Sequence, residues 1–408
     1  MRINSFLLMV SFWLLVACVE GKPRNKPDGG PVSSEISASA SASVHAADSA
    51  PPVHSQNLAQ SAPAAVPSAA ESVTHCKALG SKKAVNLGTH NSPILYLTMH
   101  YNALFALSQI GYGGGYGIYR IAKDGSGVKL LTKFVSSDRD IYSFPNRIAV
   151  DESGVYYSKH TGAPAAGNDI LYRVALDGGA ASVVSEQFGA IAGIYEGYVY
   201  AVVSRRRQRL ETIVRISTKN GKVDTLYSRP IGPTGYLDAP FMFTDMQVGA
   251  AGVILADQGT GSLLKLAHEG GAATTLLTHK FLINDLHLVG SRVYFGCGSE
   301  MTWISYGGVT ESIDISGANH LTFESMQKLW AAASDNVNLY ELGRGDPNPV
   351  NGDVPRVLVL GSDGKRTYGP RLQQIEMTEA AVDAECIYYT RIDPADVTWY
   401  SAIPKPTL

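Results

Sequence analysis

One pattern recurs seven times between Lys82 and Leu408, at about 47 residues per unit. A chain built this way folds as like units that each bury a face against the next, rather than around one core. The unit has an inner run, an apolar pair, a run centred on a basic residue, and a glycine turn. The pair appears as Leu104-Phe105, Val155-Tyr156, Val199-Tyr200, Val253-Ile254, Val293-Tyr294, Leu329-Trp330 and Ile387-Tyr388. All but Val253-Ile254 end in an aromatic residue, which suits a strand. The basic run is clear at Ile118-Tyr119-Arg120-Ile121, Leu171-Tyr172-Arg173-Val174, Ile213-Val214-Arg215-Ile216 and Leu263-Leu264-Lys265-Leu266. It is degenerate at Trp303-Ile304-Ser305-Tyr306, Arg356-Val357-Leu358-Val359 and Trp399-Tyr400-Ser401-Ala402. Turns follow at Asp124-Gly125, Asp177-Gly178-Gly179, Asn220-Gly221, Glu269-Gly270-Gly271, Gly307-Gly308 and Asp363-Gly364. Asp-Gly and Asn-Gly accept the positive φ of tight hairpins at low cost.

Six turns serve seven units, because the last unit stops at Leu408, just after its third strand. Lys83-Ala84-Val85-Asn86-Leu87 supplies a spare strand at the other end. In a closed ring that strand completes the last unit and covers an otherwise open edge. The unit length agrees with the roughly 40–50 residues of four-stranded propeller blades. The expected fold is therefore all-β: a seven-bladed β-propeller over 82–408, closed by an N-terminal strand and preceded by a disordered tether. Six or eight blades also fit, since the fifth and sixth units are the least regular. The repeat resembles the NHL-, YVTN- and TolB-like propellers, and it lacks the Trp-Asp dipeptide of a typical WD repeat. That resemblance implies a fold and little about function.

Ahead of the repeats, Arg2 precedes a mostly apolar run that ends in Leu15-Val16-Ala17-Cys18. The run is short for a bilayer span and has the layout of an export signal. It resembles the lipobox of bacterial lipoproteins. The resemblance implies that a signal peptide over 1–17 is removed and that Cys18, diacylated with palmitate-type chains, becomes the N-terminus. Two acyl chains, at about 0.8 kcal/mol per buried CH₂, give stable anchoring where one is marginal. Val19 in place of Asp leans, within that family, toward the outer membrane. From Val19 to Thr74 there is no Phe, Trp or Tyr, and Ser, Ala and Pro dominate. Residues 18–75 are expected to form a flexible tether, with a coil span of ~40 Å and an extended limit of ~190 Å.

A net charge of −2 excludes the basic excess of a nucleic-acid binder. Beyond Cys18 the chain has Cys76, Cys297 and Cys386, so at most one internal disulfide forms, and its pairing stays open. No paired cysteine spacing of a structural zinc site is present.

Polar residues gather at the expected inner strands: Asn146 in the second unit, Asp245 in the fourth, Asn284, Asp285 and His287 in the fifth, Asn319 and His320 in the sixth. Of these, Asn146, Asp245, Asp285, His287 and His320 form a candidate ligand site at the channel mouth. Such groups bind a metal, act as acid and base, or tie neighbouring blades together. Arg205, Arg206, Arg207 and Arg209 fall in a loop between second and third strands and form a candidate anion-binding site. Residues Ser334 to Asp353 read as a long loop with oxygen-bearing side chains. There is no His-Glu-x-x-His and no Gly-x-Ser-x-Gly.

These features point to a binding or scaffold propeller, anchored to the membrane of the cell envelope and engaging a protein or glycan through its loop face. The alternative is a hydrolase or lyase working around Asp285, His287 and His320. No cofactor is required by the first reading, and a divalent metal is what the second would take. A monomer is expected.

Overall fold

The computed structural model describes residues 85–406, apart from segments at 91–92, 111–114, 136–146, 162–167, 206–209, 231–242, 258–259, 280–281, 299–308, 325–327, 345–354, 373–375 and 393–396. The described residues form 28 strands in seven four-stranded antiparallel sheets, with no helix among them. The first blade comprises β2 (Ile94–His100), β3 (Ala103–Gln109), β4 (Tyr116–Ala122) and β5 (Val128–Phe134). The second comprises β6 (Ala149–Asp151), β7 (Gly154–Thr161), β8 (Asn168–Val174) and β9 (Ser182–Phe188). The third comprises β10 (Ala190–Tyr195), β11 (Tyr198–Arg205), β12 (Leu210–Ser217) and β13 (Val223–Pro230). The fourth comprises β14 (Phe243–Gly249), β15 (Gly252–Asp257), β16 (Ser262–Leu266) and β17 (Thr274–Thr278).

The fifth blade comprises β18 (Leu282–Val289), β19 (Arg292–Gly298), β20 (Val309–Asp314) and β21 (Leu321–Glu324). The sixth comprises β22 (Lys328–Ser334), β23 (Asn338–Arg344), β24 (Arg356–Gly361) and β25 (Arg366–Arg371). The seventh is assembled from both ends of the propeller: β26 (Glu376–Val382), β27 (Cys386–Ile392), β28 (Thr398–Pro404) and, as its outermost strand, β1 (Val85–His90). β1 runs antiparallel to β28, with Val85 opposite Ala402 and His90 opposite Thr398. Each blade's innermost strand packs beside the next, and β26 packs back against β2, which closes the ring. The fold is a seven-bladed β-propeller closed by an N-terminal strand.

The core is divided into seven buried clusters, one in each gap between adjacent blades. Second strands are buried on both faces. Leu104 faces the seventh blade while Phe105, its neighbour in β3, faces the second. That is why these strands read as unbroken apolar runs instead of alternating ones. Fourth strands contribute little to the gaps: β5, β13 and β17 each bury one residue, Leu131, Leu226 and Leu276.

Two units differ from the sequence expectation. Leu329-Trp330 lies in β22, the innermost strand of the sixth blade, and the second-strand pair there is Leu339-Tyr340 in β23. An apolar pair ending in an aromatic, one strand early, imitates the repeat signal. The expected loop from Ser334 to Asp353 therefore contains a buried strand. In the fifth blade the third strand is β20, followed by a turn at Gly317 with φ of 83°. Trp303–Tyr306 and Gly307-Gly308 lie outside the described residues.

A polar latch recurs across the gaps. Asp383, in the turn before β27, accepts hydrogen bonds from the Glu385 and Cys386 N–H groups and from the Tyr388 hydroxyl (2.8, 2.7 and 2.8 Å). Lys123 of the first blade completes the set with its Nζ 2.8 Å from Asp383. Asp335 repeats the pattern with the Val337 and Asn338 N–H groups, the Tyr340 hydroxyl and Lys405 of the seventh blade. In the second blade Asp151 takes the Ser153 and Gly154 N–H groups and the Tyr156 hydroxyl. Tyr200 instead reaches His268 of the fourth blade (2.7 Å), and Tyr294 reaches the Gly361 carbonyl of the sixth (2.7 Å). The basic third-strand residues act in the same direction: Arg215 donates to the His268 carbonyl and Lys265 to that of Ile315, each in the following blade. Glycine is required where blades turn tightest. At Gly252, with φ of 115°, a Cβ would lie 2.3 Å from the Leu266 carbonyl oxygen.

Burial pushes the Asp383 carboxyl up, but Lys123, the two N–H groups and Tyr388 outweigh it and hold the group below the usual aspartate range. Its contribution is therefore complete above an ordinary aspartate pKa and is lost as pH falls through the lower folded value. Asp383→Ala is expected to cost about 3 kcal/mol in denaturant titration at pH 7, since it strands a buried tyrosyl hydroxyl and two N–H groups. Asp383→Asn should flatten the fall in stability below about pH 4, which acid melts would read.

Candidate functional site

Six of the seven innermost strands slip by one residue against their second strand. The slips fall between Ile94 and Tyr96, Ile191 and Gly193, Phe243 and Asp245, Asn284 and His287, Leu329 and Ala331, and Met377 and Ala380. A bulge frees one residue from the ladder and re-aims its neighbours. Here the bulges stand around the central channel, near the start of each innermost strand. In an antiparallel meander that end also carries the loop from second to third strand. The end of β11 and the start of β12, which flank the candidate arginines, lie at that same end of their blade.

Arg147, two residues before β6, crosses this space. Its guanidinium meets Asp245 at 2.6 Å, the Met246 carbonyl at 2.9 Å and the Ala192 carbonyl at 3.5 Å, so it binds the second, third and fourth blades. The Tyr96 ring lies 5.9 Å from the guanidinium carbon. Asp245 accepts two more hydrogen bonds, from the Met246 N–H (2.7 Å) and from the Leu286 N–H in the bulge of the fifth blade (2.7 Å). Its neighbour in that bulge, Asp285, sits at φ of 51°, a left-handed conformation that non-glycine residues rarely adopt. Asp245 is thus a structural tie with both oxygens engaged.

Glu379 joins from β26. Burial, followed by the field of Asp285, pushes its carboxyl up to about 8, against the opposing pull of Arg147 and a hydrogen bond from the Leu97 N–H. At neutral pH it is mostly the protonated acid, a donor instead of a counterion. Burial likewise lowers His287, against the fields of Asp285 and Asp245 and with the help of Arg147, which favours a neutral imidazole. The channel cluster therefore combines one satisfied ion pair with an acid and an imidazole that are both uncharged near pH 7.

Asp245 and Asp285 both act through their fields on His287, and Asp245 also holds the Leu286 N–H that lies between Asp285 and His287 in the chain. His320 is elsewhere. It precedes β21, the outermost strand of the fifth blade, where its Nε2 lies 2.6 Å from Glu311 of β20. His279 approaches the other Glu311 oxygen at 3.4 Å. The displaced reading of the fifth and sixth units put His320 on an inner strand. Asn146, Arg206, Arg207 and Arg209 lie outside the described residues. Arg205 ends β11 opposite Leu210, and its side chain is also outside them. Arg147, Glu379 and Tyr96 complete the cluster. A lone acid in the small apolar run Glu379-Ala380-Ala381-Val382, just before Ile387-Tyr388, was the sequence signal for Glu379. Among the described residues no three His, Cys, Asp or Glu side chains are arranged to hold a metal ion.

No protein-family model and no curated protein sequence matches this chain. Solved structures do. The Pan2 WD40 domain of Neurospora crassa superposes with a TM-score of 0.52 at 12% identity, over 80% of this chain and 97% of that one. The likeness is one of fold. An oligogalacturonate lyase from Vibrio parahaemolyticus gives 0.49 at 11% identity, over 79% and 93% of the two chains. An oligogalacturonate lyase in complex with manganese gives 0.48 at 13%, over 74% and 86%. Superpositions this loose carry no statement about chemistry.

Glu379 has a folded pKa above its unfolded one, so stability falls as pH rises between about 4.5 and 8 while the unfolded chain alone loses this proton. Glu379→Gln, which copies the protonated carboxyl, should flatten the melting temperature across that range and raise it at pH 9. Asp245→Ala leaves the Arg147 charge without a counterion and is expected to cost about 3–5 kcal/mol. In the Arg147→Met/Asp245→Ala pair, denaturant titration should find less than the sum of the two single losses.

Proposed function

We propose that this chain is a lipid-anchored binding propeller of the bacterial cell envelope, of the NHL, YVTN and TolB-like kind. Cys18 carries the anchor, residues 18–75 form the tether, and the loop-bearing face of the ring engages a protein or glycan. The observation that supports binding over catalysis is the engagement of Asp245. Its three hydrogen bonds and the Arg147 bridge serve the scaffold, so the strongest charge pair in the channel is not free to act on a substrate. Arg205, Arg206, Arg207 and Arg209, between β11 and β12 in the sequence, supply the positive charge for an acidic partner or glycan. The Val19 that follows Cys18 leans toward the outer membrane.

A second reading draws on Glu379 and His287. A carboxyl held near 8 and a neutral imidazole, both within the fields of Asp285 and Arg147, are the kinds of proton donor and acceptor that a hydrolase or lyase uses. A divalent metal there would need ligands besides these two, since among the described residues no three His, Cys, Asp or Glu side chains are arranged to hold one.

In-cell crosslinking of the tagged chain, with recovery and mass spectrometry, tests the proposal. A specific envelope protein or glycan is expected, lost in Cys18→Ala and kept in a Glu379→Gln/His287→Ala pair. Capture abolished by that pair, or none above the Cys18→Ala control, overturns the binding reading in favour of channel chemistry.

A further inference from the structure

Cys386 is disulfide-bonded and almost fully buried, at 1% exposure. It opens β27 opposite Pro404 and belongs to the cluster that fills the gap between the seventh and first blades, together with Leu87 of β1. We propose that its partner is Cys76, and that the bond staples the N-terminal strand that closes the ring.

Three other cysteines exist, and position removes one of them. Cys297 lies in β19, opposite Ile283 in the fifth blade, and the whole sixth blade stands between it and Cys386. Packed sheets are ~10 Å apart, and two such steps exceed the ~7 Å that disulfide-bonded Cα atoms tolerate. Cys297 also ends its strand while Cys386 begins its own, so the two lie at opposite ends of their blades. Cys76 precedes Val85 by nine residues, a reach of up to ~30 Å. With Val85 opposite Ala402, two residues short of Pro404, the chain enters β1 from the end of the blade where Cys386 sits. Excluding Cys18 rests on the anchoring proposed above, which consumes its thiol.

The staple acts where the ring is weakest. The seventh blade is the one assembled from two distant parts of the chain, and its fourth strand is held by one ladder at the edge of the sheet. A Cys76–Cys386 bond fixes the approach to β1 and joins residues 310 apart in sequence. Forming it removes two protons and two electrons from two thiols. A disulfide-bearing oxidant of the exporting compartment accepts them and leaves as its dithiol.

The test is alkylation of intact cells, purification of the full chain without reductant, and peptide mapping. A linked Cys76–Cys386 peptide with alkylated Cys297 is expected. Cys386 found alkylated, or joined to Cys297 or Cys18, overturns the pairing. Absence of acyl chains on Cys18 with the linked peptide present would defeat the anchoring and leave the pairing standing. Reduction should lower Tm by on the order of 5 °C in the native chain and in Cys297→Ser, and not in Cys76→Ser. A Cys76→Ser chain that still loses those degrees also overturns it.

Discussion

Apolar contact in the gaps between blades is what the rest of this molecule depends on. A ring of radial sheets has no centre to fill, so its cohesion comes from seven separate clusters of six to twelve buried residues. At ~1.5–3 kcal/mol per buried large side chain, each gap outweighs the ~1 kcal/mol of any single hydrogen bond across it. No blade can bury both faces alone, and the last gap forms only when the ring is closed. Leu87 of β1 sits in that gap. The N-terminal strand therefore completes a sheet and fills a core in one step.

The polar latches do a different job. Apolar packing is tolerant of small slips, whereas Asp383 and Asp335 each gather two turn N–H groups, one tyrosyl hydroxyl and one lysine of the next blade. A slip of one residue would leave several buried groups unsatisfied, at roughly 1–3 kcal/mol each. The tyrosines that end the apolar pairs are thus hydrophobic along their rings and register marks at their tips.

Those rules explain what the sequence made legible. Second strands buried on both faces announce themselves, and so do Asp-Gly and Asn-Gly turns, because both are local. Outer strands with one buried residue each leave a faint trace, which is how Leu329-Trp330 displaced Leu339-Tyr340 and carried His320 onto an inner strand it does not occupy. The channel cluster was half visible. Asp245, Asp285 and His287 are polar residues in apolar runs, whereas Arg147 and Tyr96 owe their roles to bulges and to partners one or two blades away. No spacing along the chain encodes such a meeting.

The channel and the loop face consequently answer to different constraints. Arg147 and Asp245 hold three blades and a bulge in place, so altering either changes the scaffold before it changes any ligand. Glu379 and His287 both lie in the field of Arg147, and both are uncharged near neutral pH because burial there is costly to charge. A ligand that ionised Glu379 would have to supply positive charge to do it, and Arg147 is already committed to Asp245. Selectivity that leaves the ring intact is therefore hard to place on Arg147 or Asp245, and falls to residues that carry no such tie between blades.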